Sequence, residues 1–102
     1  MNNDERIAVG VKTVQTYLEA EFPGVPIEVL RPMSWDQNRD TLTFKIQETA
    51  ATMRLLVVEE VLMLDRTVVE GLLREKRTAE ALRRHPGQTL LLTPNDLAIE
   101  PF

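Results

Sequence analysis

Apolar residues recur at helical spacing near the start of the chain. They lie three or four residues apart, within about 80° on a helical wheel: Ile7, Val11, Val14, Leu18 and Phe22. Asn3 can cap the first turn, and Asp4 and Glu5 suit the positive end of the helix dipole. Proline cannot continue the hydrogen-bond ladder, so the pattern predicts an amphipathic helix that ends in the proline-containing segment 22–26.

The pattern then changes from helical to alternating. Residues 41–47 alternate strictly, with Leu42, Phe44 and Ile46 on one side and polar residues on the other. Such alternation predicts a strand in a sheet that has one buried face. Further strands are predicted at residues 27–31 and 51–58, the second after a hairpin turn at residues 48–50.

A second helix is predicted in the latter half of the chain. Asp65 is a suitable N-cap, residues 67–70 fit a capping box, and the helix should run to about Arg84, before the terminating residues 85–87. The segment 59–64 before it fits either a strand extension or a helical turn. Two more strands are predicted after the helix, at residues 88–93 and, as a short edge strand, at residues 97–100.

These elements describe one domain. The chain has 102 residues, a common domain length, and no repeat, low-complexity tract or linker divides it. The predicted order is α-β-β-β-α-β(-β) over residues 1–102. We therefore expect an α+β fold, a two-layer sandwich in which a mostly antiparallel sheet packs against two helices.

The α-β-β-β-α order resembles that of the double-stranded-RNA-binding domain. In that family a Lys-Lys-x-Ala-Lys run opens the second helix, and a Gly-Pro-x-His loop joins two strands. The corresponding positions here are residues 66–70, which hold one cation and one anion, and residues 48–50, which read Glu-Thr-Ala. The resemblance implies a shared layout without the motifs that bind RNA.

Composition narrows the classes of function. Twelve Lys and Arg against sixteen Asp and Glu give a net charge of −4, which argues against a dedicated binder of nucleic acid or anionic membranes. No cysteine is present, so disulfides and thiolate metal sites are excluded. Residues 1–5 do not resemble a signal peptide, and an apolar run as short as residues 55–58 cannot span a bilayer. We expect a cytoplasmic protein.

Catalytic chemistry has little support in the sequence. Ser34 and His85 are the sole serine and histidine, and no motif joins them to an aspartate. The carboxylates of Asp36 and Asp40 match no metal-binding loop, and the four glycines form no phosphate-binding loop. We expect no enzymatic activity, no cofactor and no bound metal.

The second predicted helix is the one region with a surplus of cations. Residues 65–84 hold six cations and four acids. On a continuous helix four arginines share a face about 80° wide: Arg66, Arg74, Arg77 and Arg84. The opposite side, expected to face the core, holds Val68, Leu72, Ala79 and Leu82. The arginine face could bind an acidic partner or phosphates, or it could be a solvated face with Glu70–Arg74 and Glu80–Arg84 ion pairs.

Two other features favour binding to protein. Met33 and Trp35 place large apolar side chains in an otherwise polar loop, where Trp35 could anchor an interface or fold back over the sheet. The apolar segment 90–92 suggests a sheet edge that a second copy could cover, giving a homodimer.

We therefore expect a small non-enzymatic domain that binds another protein. The candidate contact residues are Met33, Trp35, Arg66, Arg74, Arg77 and Arg84. The alternative is a nucleic-acid-binding module that uses the basic second helix.

Overall fold

The fold is the predicted α+β two-layer sandwich, seen in a computed structural model that describes residues 3–30, 41–49 and 51–99. Its helices are α1 (Asn3–Glu21), α2 (Glu59–Leu62), α3 (Arg66–Glu75) and α4 (Thr78–Arg84). Its strands are β1 (Ile27–Leu30), β2 (Thr41–Gln47), β3 (Thr52–Val58), β4 (Thr89–Leu92) and β5 (Leu97–Ile99).

The five strands form one mixed sheet in the order β1-β2-β3-β4-β5. Neighbouring strands are antiparallel except β3 and β4, which are parallel. Parallel neighbours need a crossover connection, and helices α2 to α4 supply it. Strand β4 is buried along its whole length, so the segment 90–92 is not the sheet edge that its sequence suggested. The edge on this side is β5.

The core lies between the sheet and the helices. The side chains of Phe44, Leu55 and Leu90, which neighbour one another across β2, β3 and β4, form one of its rows. The predicted stripe of α1 packs against this core, with Val14, Leu18 and Phe22 buried and Ile7 and Val11 partly buried. The alternation of β2 is confirmed as well, because Leu42, Phe44 and Ile46 are all buried.

Helix α1 approaches α2 closely at Gly10. A Cβ atom at this position would lie 2.6 Å from Leu62 Cα and overlap the Leu62 carbonyl oxygen. Helix α2 follows β3 directly, so the ambiguous segment 59–64 begins as a helical turn. A side chain larger than hydrogen at Gly10 would push α1 away from this turn.

The prediction of one long helix over residues 65–84 is wrong, because the helix is interrupted between α3 and α4. In α3 the buried side chains are Val69 and Leu73. Continuing that face at helical spacing would bury Lys76, Glu80 and Arg84. The break changes the phase of the helix, so that α4 buries Thr78, Ala79 and Leu82 and leaves Glu80 and Arg84 exposed.

The predicted core face and helix ends agree with the structure only in part. Ala79 and Leu82 are buried as expected, but Val68 is 49% exposed and Leu72 only partly buried. Asp65 is the N-cap of α3 by position, yet its side chain makes no capping hydrogen bond. The predicted capping box is replaced by an ion pair in which Glu70 accepts a hydrogen bond from Arg66. His85 is the C-cap of α4, as the terminating residues suggested.

Candidate protein-binding surface

The bend between α3 and α4 is centred on Arg77. Its backbone is left-handed, with φ 51° and ψ 50°, a conformation that favours glycine over residues with a Cβ. Its N–H donates to the carbonyl oxygen of Arg74 at 3.1 Å, which links the end of α3 to the bend. Arg77 is also the N-cap residue of α4, but its side chain forms no capping hydrogen bond and is 76% exposed.

Other residues satisfy the polar groups at this bend. The Thr78 hydroxyl donates to the carbonyl oxygen of Leu73 at 3.0 Å. The N–H of Ala79, in the first turn of α4, donates to the hydroxyl oxygen of Tyr17 at 3.0 Å. Tyr17 thus does for α4 what an N-cap side chain normally does. Burial raises the pKa of the Tyr17 phenol above 10.0, because a low-dielectric surrounding disfavours phenolate.

Three of the predicted arginines belong to the surface around the bend. Arg74 is exposed in the last turn of α3, and Arg77 and Arg84 lie seven residues apart, on the same side of α4 as Glu80. Arg77 Nη1 is 3.9 Å from Glu80 Oε2, whereas neither Arg74 nor Arg84 forms an ion pair with another described residue. We call Arg74, Arg77, Glu80 and Arg84 the bend surface.

The fourth predicted arginine lies elsewhere. Arg66 Nε donates to Glu70 Oε1 at 3.1 Å, so Glu70 pairs with Arg66 rather than with Arg74. This pair borders a groove of about 260 Å³ between α1 and α3, the α1–α3 groove, which is lined by Val9, Lys12, Thr13, Thr16, Arg66 and Glu70. The single stripe expected on a continuous helix is therefore divided into two surfaces.

Arg83 points away from the bend surface and holds α4 against the end of α1. Its guanidinium lies 4.6 Å from the centroid of the Phe22 ring and donates to the main-chain carbonyl of Glu21. Arg83 also borders a cleft of about 390 Å³ formed with residues 21–26 and 47–49. Because Arg83 already contacts Phe22 and Glu21, we assign it a role in packing.

The remaining candidates of the sequence are dispersed or not described. Met33, Ser34, Trp35, Asp36 and Asp40 lie outside the described residues. His85 ends α4, and Asp96 accepts a hydrogen bond from the Leu97 N–H in the turn before β5. Within the described ranges, no group of three or more His, Cys, Asp and Glu residues could hold a metal ion. In the same ranges, no helix is long and apolar enough to cross a membrane.

Sequence patterns missed the residues that shape these surfaces. Gly10 and Tyr17 sit within α1 and gain their roles from contacts with Leu62 and Ala79, which are distant in sequence. The positive φ of Arg77 had no local signal, since arginine does not mark a left-handed position.

Comparison with known proteins gives no relative: no protein-family model, no curated protein and no solved structure matches the chain.

Proposed function

We propose that this protein is a non-catalytic cytoplasmic domain that binds another protein, with the bend surface as a principal contact. The observation that carries the proposal is the conformation of Arg77. An exposed arginine occupies a left-handed position where glycine would be unstrained, and it serves as an N-cap without making a capping bond. An exposed residue whose backbone conformation is unfavourable for its residue type is often functional.

The charges of the bend surface favour a protein over a nucleic acid. Glu80 lies beside Arg77, and Glu75 follows Arg74 directly in the chain. These carboxylates would repel phosphates, but they can pair with lysine or arginine side chains of a partner. The arginines in turn can bind carboxylates through two parallel hydrogen bonds. A mixed surface of this kind suits recognition by charge complementarity.

Affinity capture tests the proposal. The tagged protein is incubated with lysate of the source organism, with and without nuclease treatment, and bound proteins are identified by mass spectrometry. The test variant carries Arg77→Gln and Arg84→Gln. The control variant carries Arg6→Gln and Arg54→Gln, which remove the same charge from exposed positions on α1 and β3.

We expect one protein to be captured by the wild type and the control, and about tenfold less by the test variant. Equal capture by both variants would contradict the assignment of the bend surface. Capture that disappears on nuclease treatment would favour the nucleic-acid alternative.

Trp35 supplies a second prediction. If Met33 and Trp35 anchor the partner, Trp35→Ala should weaken capture and leave the free energy of unfolding unchanged. Urea unfolding followed by circular dichroism, together with the same capture, measures both effects. Unfolding of the variant would instead assign Trp35 to the core.

We also propose self-association through β5. This edge strand has three residues, none of them charged, and Ile99 is 47% exposed. An uncharged edge strand with an exposed apolar side chain can pair with the edge of another sheet. Two copies of β5 related by a two-fold axis would join the sheets of a homodimer.

A further inference from the structure

We infer that the α1–α3 groove binds an apolar side chain and a neighbouring carboxylate of an acidic amphipathic helix in the protein partner. The inference rests on the proposed function and adds a second contact, separate from the bend surface. Its basis is the combination of an exposed valine, a buried threonine whose hydroxyl is already hydrogen-bonded, and a lysine that forms no ion pair with another described residue.

The floor of the groove suits an apolar group. Val9 is 40% exposed although it lies beside the contact between α1 and α3. Thr13 is buried, and its hydroxyl donates to the Val9 carbonyl oxygen at 2.8 Å. The hydroxyl therefore needs no partner from a ligand. Covering Val9 would remove apolar surface from water without leaving this polar group unpaired.

The rim of the groove adds a requirement for negative charge. Arg66 is balanced by Glu70 at 3.1 Å, but Lys12 forms no ion pair with another described residue. The lining therefore holds two cations and one anion. A carboxylate placed beside the apolar side chain would pair with Lys12 and could share Arg66 with Glu70.

The size of the groove indicates what part of a partner enters it. Its volume of about 260 Å³ is below the roughly 300–1,000 Å³ of pockets that enclose small ligands. A groove of this size can accept one or two side chains of a partner. A helix that presents apolar residues at intervals of three or four, with glutamate beside them, lays such side chains into a groove between two helices.

Nuclear magnetic resonance tests the inference on the full chain. The labelled protein is titrated with a synthetic helical peptide that carries leucine on one face and glutamate beside it. A matched peptide has every glutamate replaced by glutamine. The protein variants are Lys12→Gln and, as control, Arg6→Gln, which removes an exposed cation from the same helix outside the groove.

We expect the glutamate peptide to shift the amide signals of Val9, Lys12, Thr16, Arg66 and Glu70. The glutamine peptide, and the Lys12→Gln variant, should bind about tenfold more weakly, and Arg6→Gln should bind like the wild type. Absence of shifts, shifts confined to residues outside the groove, or equal binding of the two peptides would overturn the inference.

The two proposals can fail separately. The peptide titration uses the groove on the free chain, whereas the capture experiment varies Arg77 and Arg84. Equal capture by the Arg77→Gln/Arg84→Gln variant overturns the role of the bend surface, and an unresponsive groove overturns the acidic-helix contact.

Discussion

Gly10 and Gly71 are both helical glycines, but the space around them differs. A Cβ at Gly10 would overlap the backbone of α2, whereas a Cβ at Gly71 would meet no atom within 4 Å. Gly10 is therefore required by the close approach of two helices. Gly71 makes no such approach in α3, where glycine is less favourable than alanine by about 1 kcal/mol.

The two glycines give a matched pair of predictions. Gly10→Ala should lower the free energy of unfolding by about 1–3 kcal/mol, because backbone atoms cannot move aside as a flexible side chain would. Gly71→Ala should raise it by about 1 kcal/mol. Urea unfolding of the two variants measures both effects. A stable Gly10→Ala variant would show that α1 and α2 are further apart than described.

At the scale of elements, local patterns predicted the regular segments well. The stripe of α1 and the alternation of β2 each bury one side, so the sequence repeats the period of the structure. The break between α3 and α4 was missed, because the bend is satisfied by distant partners such as Tyr17. The four arginines could be identified as candidates, but their division into two surfaces depended on that break.

The first turn of α4 is hydrogen-bonded to Tyr17 of α1 through the Ala79 N–H, and a substitution tests what this bond contributes. Tyr17→Phe removes the acceptor of the Ala79 N–H and should lower the free energy of unfolding by about 1 kcal/mol at neutral pH. The pKa of Tyr17 is raised in the folded protein. Its contribution to the free energy of unfolding is therefore present below about pH 10 and is lost as the pH rises through the pKa of the folded state. As the pH rises above that value, the free energy of unfolding should fall less in the Tyr17→Phe variant than in the wild type.

Urea unfolding of both proteins at neutral and alkaline pH measures this difference. Tyr17 is the sole tyrosine, so the ultraviolet absorbance of phenolate in the folded wild type reports its pKa directly. A phenol that titrates at or below its ordinary value would contradict the described burial.

At the scale of the whole molecule, the helices cover one face of the sheet and its two edges differ. Strand β1 follows Pro26 and carries exposed Glu28, and both features discourage pairing with another chain. Strand β5 carries neither charge nor proline. The sequence suggested an edge near residues 90–92, but the position of β4 inside the sheet could not be derived from local pattern, because it follows from the crossover after β3.

The proposed homodimer predicts a mass that depends on concentration. Ala98→Lys places a charge on β5 and should shift the equilibrium to the monomer. Ala8→Lys makes the same change at an exposed position of α1 and should leave it unchanged. Analytical ultracentrifugation compares the two variants with the wild type. Identical sedimentation of all three would contradict self-association through β5.

The central claim is that Arg77 is kept at a strained position for binding, and its replacement by glycine tests this most directly. Glycine adopts the left-handed conformation freely, so Arg77→Gly should leave the free energy of unfolding unchanged or raise it by up to about 1 kcal/mol. Titration calorimetry of the folded variant against the captured partner should then show binding about tenfold weaker than that of the wild type. Unchanged affinity would contradict the account, since Arg77 would then shape the bend without contacting a partner.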